Sequence, residues 1–354
     1  MWGSRSMCKF VETVSLRRPA LLRQQRRFIR RDGIGVVGVP FAHGQNKPGV
    51  HEGPRLLREA GFIDGLEKLA GWKVHDYGDL DFELVKEDES YGPCNIQLPR
   101  TNGLANKLIS AAVQKSIVDH GTCISIGGDH SLSAGTIHGH AQAHEDIVLI
   151  WVDAHADINT SLTSYTGHLH GMSGAFSIKE LDKYIPKMPG WDWLTPTVAA
   201  RDIVYIGLRD VDPGERYLLD KYRIQCYDMY LVEKYGMAKV MEMTLEYINP
   251  KLNRPIHLSF DIDCLDIAFA PATGTPVPGG LTLREGLFLA EELNKTEMLT
   301  GVDLVEVNPM LGTDVGKNLT LWAANLVLQS CFGKITAGNV PAGFEMPKPE
   351  DVGL

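Results

Sequence analysis

The sequence predicts an α/β fold of three layers, α-β-α, built on a mainly parallel sheet of roughly eight strands. Two observations carry this. Short apolar runs rich in β-branched residues recur near positions 33–39, 73–77, 122–126, 147–153, 202–207, 224–227, 256–262 and 299–306, each of strand length. Between most of them lie stretches such as GPRLLREAGFIDGLEKLAG and TNGLANKLISAAVQKSIVDHG, whose apolar residues recur at the three- and four-residue spacing of a helix. Strands that alternate with helices pair in parallel and are covered on both faces.

The alternation runs without a linker-like break, so residues 32–333 read as one domain, preceded by a segment 1–31 and followed by a tail 334–354. With 354 residues, 44% hydrophobic and 22% charged, the chain can bury a sizeable core. No apolar run approaches the roughly 20 residues that span a bilayer, and no repeat is present, so membrane insertion and solenoid folds are set aside. The net charge of −9 hides an asymmetry. Residues 1–31 hold eight arginines and Lys9 against Glu12 alone, a net of +8, which leaves the remainder at −17 from 26 basic and 43 acidic residues. An Arg-rich head with interspersed Ser and Leu and almost no acid has the composition of a mitochondrial transit peptide, with the cytoplasm as the alternative location. The acidic body gives no support for nucleic-acid binding. The six cysteines are far apart and form no CxxC pair, which predicts free thiols in a reducing compartment.

GIGVVG, Gly33 to Gly38, spells the GxGxxG of dinucleotide-binding sites. That pattern works only after a strand and at the mouth of a helix, where backbone N–H groups meet a pyrophosphate. Here the glycines lie inside the strand pattern and Pro40 follows, so nicotinamide binding is rejected.

In an open parallel sheet, functional groups gather beyond the carboxyl ends of the strands. The predicted strands end in Asp129 and His130, in Asp153, His155 and Asp157, in Asp210 and Asp212, in Asp261 and Asp263, and in Glu306. Side chains two apart on an extended chain face the same way, so the Asp153–His155–Asp157 triplet and the Asp261–Asp263 pair are expected to face one point. Carboxylates forced together repel and take up protons unless a cation intervenes. With His130 the set is four Asp and two His, enough for two divalent ions if Asp153 and Asp261 each bridge. Carboxylate and imidazole without thiolate favour Mn²⁺ over structural zinc, with Fe²⁺ and Co²⁺ as competitors. Two such ions lower the pKa of a bridging water and make hydroxide available near neutral pH.

The motifs GGDHS, DAHADIN, HLHG, GLRDVDPGE, SFDID, PATGTP and EVNP, in that order, resemble those of the arginases of the ureohydrolase family, from GVPFAHGQNKPGVHEGP near residue 38 to CFG at 331–333. The resemblance implies a three-layer catalytic domain that hydrolyses L-arginine to L-ornithine and urea with two Mn²⁺ per subunit. By the same resemblance, one ion takes His130, Asp153, Asp157 and Asp261, and the other Asp153, His155, Asp261 and Asp263. The resemblance further implies that Asp157 hydrogen-bonds the attacking hydroxide, Glu306 pairs with the guanidinium, Thr275 sits beside that pair, and His170 moves protons to the leaving amine.

At the other end of the substrate, the resemblance assigns the α-amino group to Asp212 with Asp210 and Glu215 in the same loop, and the carboxylate to Asn159, Thr166 and His168. The last two mark a departure. Where arginases read SGN before LHG, this chain has Thr166, Gly167 and His168. An agmatinase, whose substrate lacks the carboxylate, is the alternative reading, against which the intact GLRDVDPGE counts. A catalytically weak amino-acid or metal-binding relative and an amide deacetylase of similar fold are further rivals, and six ligands with Glu306 exceed what one catalytic zinc needs. The resemblance also implies a homotrimer through Arg284 and Glu285 of LTLREG, although Thr336 stands where a basic partner is usual.

Overall fold

Each apolar run becomes a strand in the computed structural model, which describes residues 32–340 and 344–348: β1 (Ile34–Val39), β2 (Val74–Asp79), β3 (Cys123–Gly127), β4 (Val148–Val152), β5 (Ile203–Ile206), β6 (Gln225–Tyr227), β7 (Ile256–Asp261) and β8 (Leu299–Val305). They form one sheet in the order β2-β1-β3-β8-β7-β4-β5-β6, with every neighbouring pair parallel. The basic head expected to act as a targeting segment lies outside the described residues.

The helices are α1 (Gly53–Glu59), α2 (Phe62–Ala70), α3 (Pro99–His120), α4 (Ser133–Ala143), α5 (Pro213–Tyr222), α6 (Met229–Ile248), α7 (Leu283–Lys295) and α8 (Asp314–Cys331). The first helical stretch of the sequence is thus two helices, broken at Gly61, whose φ of 80° places it in the left-handed region. The second is one long helix that stops at Gly121, φ 82°.

The pleat of β4 explains how both faces are covered. Val148, Ile150 and Val152 enter the large core beneath α1, α2, α6, α7 and α8. Leu149 and Trp151 point the other way, into a core shared with Ile137 of α4 and with Leu218 and Leu219 of α5. A strand apolar at every position is what burial on two faces requires. The glycines of β1 have a packing explanation as well. A Cβ at Gly35 would collide with the Ser116 hydroxyl of α3, and one at Gly38 with the Asp79 carboxylate and the Arg58 guanidinium. They let neighbours approach the strand and serve no phosphate.

Polar residues tie α4 to β7 and β8 below the strand ends. Thr300 Oγ1 lies 2.9 Å from His140 Nε2, His140 Nδ1 lies 3.0 Å from His257 Nδ1, and His257 Nε2 lies 2.9 Å from Asp303 Oδ2, which also accepts from Thr136. Burial, and after it the neighbouring His257 and His144, hold His140 well below the ordinary histidine pKa. A neutral His140 has one donor and one acceptor nitrogen, so it donates to one of Thr300 and His257 and accepts from the other. Among the described residues no helix is long and apolar enough to cross a membrane.

Candidate metal centre

Sheet order decides which strand ends meet. β3, β8, β7 and β4 are consecutive neighbours, so His130, Glu306, the Asp261–Asp263 pair and the Asp153–His155–Asp157 triplet emerge side by side. The way they converge differs from the sequence expectation of an extended chain. β4 stops at Val152, residues 153–155 bend, and Asp157 takes φ 52°. Asp261 is the last residue of β7, and a short 3₁₀ turn, Ile262–Cys264, follows it, with Asp261 Oδ1 accepting the Asp263 N–H at 2.9 Å. The strands end here and the backbone turns, carrying these side chains toward one point beyond the sheet, where a continued pleat would send each set to one helical layer.

The result is two groups of ligating size, the buried His130–Asp153–Asp157 and the group Asp153–His155–Asp263, in which only His155 is partly exposed. Asp153 belongs to both. Its Oδ2 is 3.2 Å from His130 Nδ1 and its Oδ1 is 3.4 Å from His155 Nδ1. His130 Nδ1 is also 3.1 Å from Asp157 Oδ2 and 3.1 Å from Asp261 Oδ2, and His155 Nδ1 is 3.3 Å from Asp263 Oδ2. Though enclosed by three carboxylates, His130 Nδ1 makes no hydrogen bond of acceptable geometry. A buried imidazole nitrogen without a hydrogen bond, set among converging carboxylate oxygens, is the environment of a cation, so the donor set fits a metal.

Protonation in the protein alone shows the charge that such an ion must meet. Burial first, and then the Asp263 and Asp153 charges, push Asp261 well above the usual carboxylate range. Burial and Asp153 bring Asp263 up to about 6. Burial opposes ionisation of Asp153 too, but the imidazoles of His130 and His155 beside it pull it well below the usual value.

Several groups orient the ligands from behind. Ser259 Oγ lies 2.9 Å from His130 Nε2, and Trp151 stacks on the His130 ring at 4.3 Å while its Nε1 donates to Asp153 Oδ2 at 2.9 Å. Thr275 Oγ1 donates to Asp263 Oδ2 at 3.0 Å. Sequence reasoning missed Ser259 and Trp151, although the signal was present. Each stands two residues before a ligand, on the same face of its strand.

Glu306, at the end of β8, has φ 61° and accepts at Oε1 from the His130 N–H at 2.9 Å. The same oxygen lies 3.2 Å from His170 Nδ1. Burial would lower the pKa of His170, but its hydrogen bond to Glu306 and the charges of Glu306, Asp157 and Asp129 bring it up to about 9.

Beside these groups opens a cavity of 390 Å³ whose lining includes Asp157, His170 and all of Asn159, Thr166, His168, Asp210, Asp212, Glu215 and Thr275. It also includes Ser164 and Tyr165, which the sequence did not single out. Asn159 Nδ2 donates to Asp212 Oδ2 at 2.9 Å. Asp212 caps α5 in a reciprocal box with Glu215, which is buried and accepts from the Asp212 N–H at 3.0 Å and the Ile158 N–H at 3.1 Å. Burial and then the Asp157 charge push Glu215 up to about 8. Asp210 is exposed, with Oδ2 3.8 Å from His155 Nε2. Thr166 Oγ1 accepts the His168 N–H at 3.2 Å. Burial, and after it the charge of His170, lower the pKa of His168.

Comparison with known proteins places this arrangement. The sequence model of the Arginase family matches residues 32–333. A hepatic arginase of Aquarana catesbeiana is 49% identical over 315 residues, covering 89% of this chain and 97% of the relative. The mitochondrial Arginase-2 of Homo sapiens is 46% identical over 319 residues, covering 89% of each. Among solved structures, the arginase of Bacillus caldovelox superimposes with a TM-score of 0.78 at 35% identity, over 86% of this chain and 99% of that one.

The Ser259 contact yields a prediction. A partner on the far ring nitrogen fixes the tautomer and raises the basicity of the nitrogen that faces a metal. Ser259→Ala should therefore weaken divalent-metal binding about tenfold in isothermal titration, with the folded protein retained. Unchanged affinity would show that Trp151 stacking alone orients His130.

Proposed function

The chain belongs to the arginase family, and from that premise we propose that it hydrolyses L-arginine to L-ornithine and urea at a centre of two Mn²⁺ ions. The observation that carries the two-ion reading is Asp153, which turns one carboxylate oxygen to each histidine-containing group. One ion is assigned His130, Asp153, Asp157 and Asp261, and the other Asp153, His155, Asp261 and Asp263. Hard carboxylates with imidazole and no thiolate suit Mn²⁺. When bound, such ions lower the pKa of water enough to supply hydroxide near neutral pH.

The residues of the chain do the rest. Asp157 orients the attacking oxygen through a hydrogen bond. Glu306, held at Oε1 by the His130 N–H and His170, meets the planar guanidinium, which pairs with a carboxylate through two parallel N–H donors. Thr275 stands beside it. His170 holds a proton at Nδ1 and hands it to the leaving amine, a role an imidazole at the cavity wall can fill. At the far end, Asp212 and Asp210 receive the α-amino group, Glu215 acts by fixing Asp212, and Asn159, Thr166 and His168 receive the carboxylate.

Three further assignments follow from sequence and family. Residues 1–31 direct the chain to mitochondria, 32–333 form the catalytic domain and 334–354 the tail. The known mitochondrial location of a relative supports the first. Subunits join as a homotrimer through the exposed Arg284, while the Glu285 carboxylate also accepts from the Thr282 N–H at 2.8 Å to cap α7.

The central test is urea release from L-arginine by metal-defined protein, with close to two Mn²⁺ per chain in the active form. Asp261→Ala removes a shared ligand and should abolish both occupancy and urea release. Full activity in metal-free protein would sink the reading.

His168 gives a pH signature. Its pKa, lowered without substrate, should rise when a carboxylate binds, because the charged ring then gains a charge-assisted hydrogen bond. Arginine therefore binds best while the ring is protonated, and its KM climbs as pH rises through the pKa of the bound state. His168→Asn should remove that component and leave the chemistry intact. Identical KM profiles in the two proteins would make His168 a spectator.

Fusion of residues 1–31 to a fluorescent reporter should carry it into mitochondria. Diffuse cytosolic fluorescence would refute the targeting role.

A further inference from the structure

The residues assigned to the substrate carboxylate sit on a loop with few bonds of its own. Within 164–168, Ser164 Oγ accepts the Gly167 N–H at 3.0 Å and Thr166 Oγ1 accepts the His168 N–H at 3.2 Å, while Tyr165 and Thr166 are exposed. The shape of this loop is imposed from a distant stretch of sequence. Residues 91–96 close a tight turn, with Tyr91 and Ile96 exchanging backbone hydrogen bonds of 2.9 and 2.8 Å. Ile96 is fully buried in a small core with Leu169, Met172, Phe176 and Trp191. The turn is therefore anchored to the chain that follows the recognition loop.

From this base Gln97 reaches the loop twice. Its backbone N–H donates to Gly167 O at 3.0 Å, and its side-chain Nε2 donates to Thr166 O at 3.3 Å. The two backbones touch. Gly167 has φ 68°, and a Cβ there would run into the carbonyl oxygens of Cys94 and Asn95. Glycine is required at this point on two independent grounds, conformation and space. The carbonyls that Gln97 holds belong to the residues immediately before His168, so their orientation sets where the His168 ring and the Thr166 hydroxyl point.

We propose that Gln97 is a positioning residue for recognition of the substrate's carboxylate end, acting through the backbone of Thr166 and Gly167. This rests on the arginine-hydrolase reading. It separates two tasks within one cleft. Glu306 and the metal ligands follow strand ends, and His170 is held by its N–H to Gly44 O at 3.1 Å and its ring to Glu306, whereas the selectivity for a carboxylate depends on Gln97.

The test compares manganese-loaded parent, Gln97→Ala and Gln97→Glu, with L-arginine and its decarboxylated analogue agmatine as ligands. One neutral hydrogen bond corresponds to about a fivefold change in affinity. Gln97→Ala should raise the KM and Kd for arginine by about that factor, with kcat and the thermal midpoint unchanged and agmatine binding as in the parent. Gln97→Glu keeps the length and loses the donor, so it should lose at least as much arginine affinity. Parent-like arginine affinity in Gln97→Ala, or equal losses for arginine and agmatine, would overturn the role of Gln97. Calorimetric affinities for L-ornithine, which keeps the carboxylate and is not hydrolysed, read the same contact without turnover, so failure of the parent to release urea from arginine would overturn the hydrolase reading separately.

Discussion

The mutual repulsion of four carboxylates at the buried ends of two neighbouring strands is the constraint around which the molecule is arranged. Asp153, Asp157, Asp261 and Asp263 are each less than a tenth exposed, and together with Glu306 they place more negative charge in one corner than a protein interior tolerates unpaired. Two imidazoles partly meet it, and the remaining demand is for cations. Everything close by serves to hold the carboxylates in place despite this: Trp151 and the His155 N–H on Asp153, the Asp263 N–H on Asp261, and Thr275 on Asp263. The sheet supplies the rigid base. Its order puts β4 beside β7, β7 beside β8 and β8 beside β3, so residues as far apart as 130 and 306 meet without any long loop.

Backbone conformation shares the load. Asp157 and Glu306 both lie at positive φ, near 52° and 61°, a region that costs a residue with a Cβ about 1–2 kcal/mol. Local bonds hold both in place. Asp157 O accepts the Gly174 N–H at 2.8 Å, and the Glu306 N–H donates to Gly128 O at 2.9 Å. The carboxylate assigned to the attacking oxygen and the one assigned to the guanidinium are thus aimed by turns that their surroundings enforce.

Strand number, the parallel sense of the sheet and the gathering of acids and histidines at the strand ends were legible because period and position encode them: β4 is apolar at every position, and acids and histidines recur just after strands. The manner of convergence was not legible. Same-face alternation holds on an extended chain, but the chain bends after Val152 and tightens into a 3₁₀ turn after Asp261, and such turns depend on bonds like Asp153 N–H to Ile206 O at 3.1 Å that no local pattern announces. Glu215 reads in sequence as a loop acid at the substrate end, yet in the fold it is buried and engaged by two backbone N–H groups. Gln97 gives no sequence signal, because it lies 69 residues from the carbonyl it holds. The Gly33–Gly38 pattern misleads for the complementary reason. Glycine records a close approach without saying whether a phosphate, a helix or a salt bridge makes it.

The turn at 91–96 is pinned by one buried side chain and touches the rim of the cleft through backbone atoms. Its consequence is a division within the cleft. Apart from Gly167, the rim residues belong to a surface loop whose fold is dictated from elsewhere, whereas on the floor each side chain is engaged by its neighbours and a change in one disturbs several. What a side chain at 166 or 168 presents to the cleft can thus change while the bonds among the carboxylates and imidazoles of the floor stay as they are.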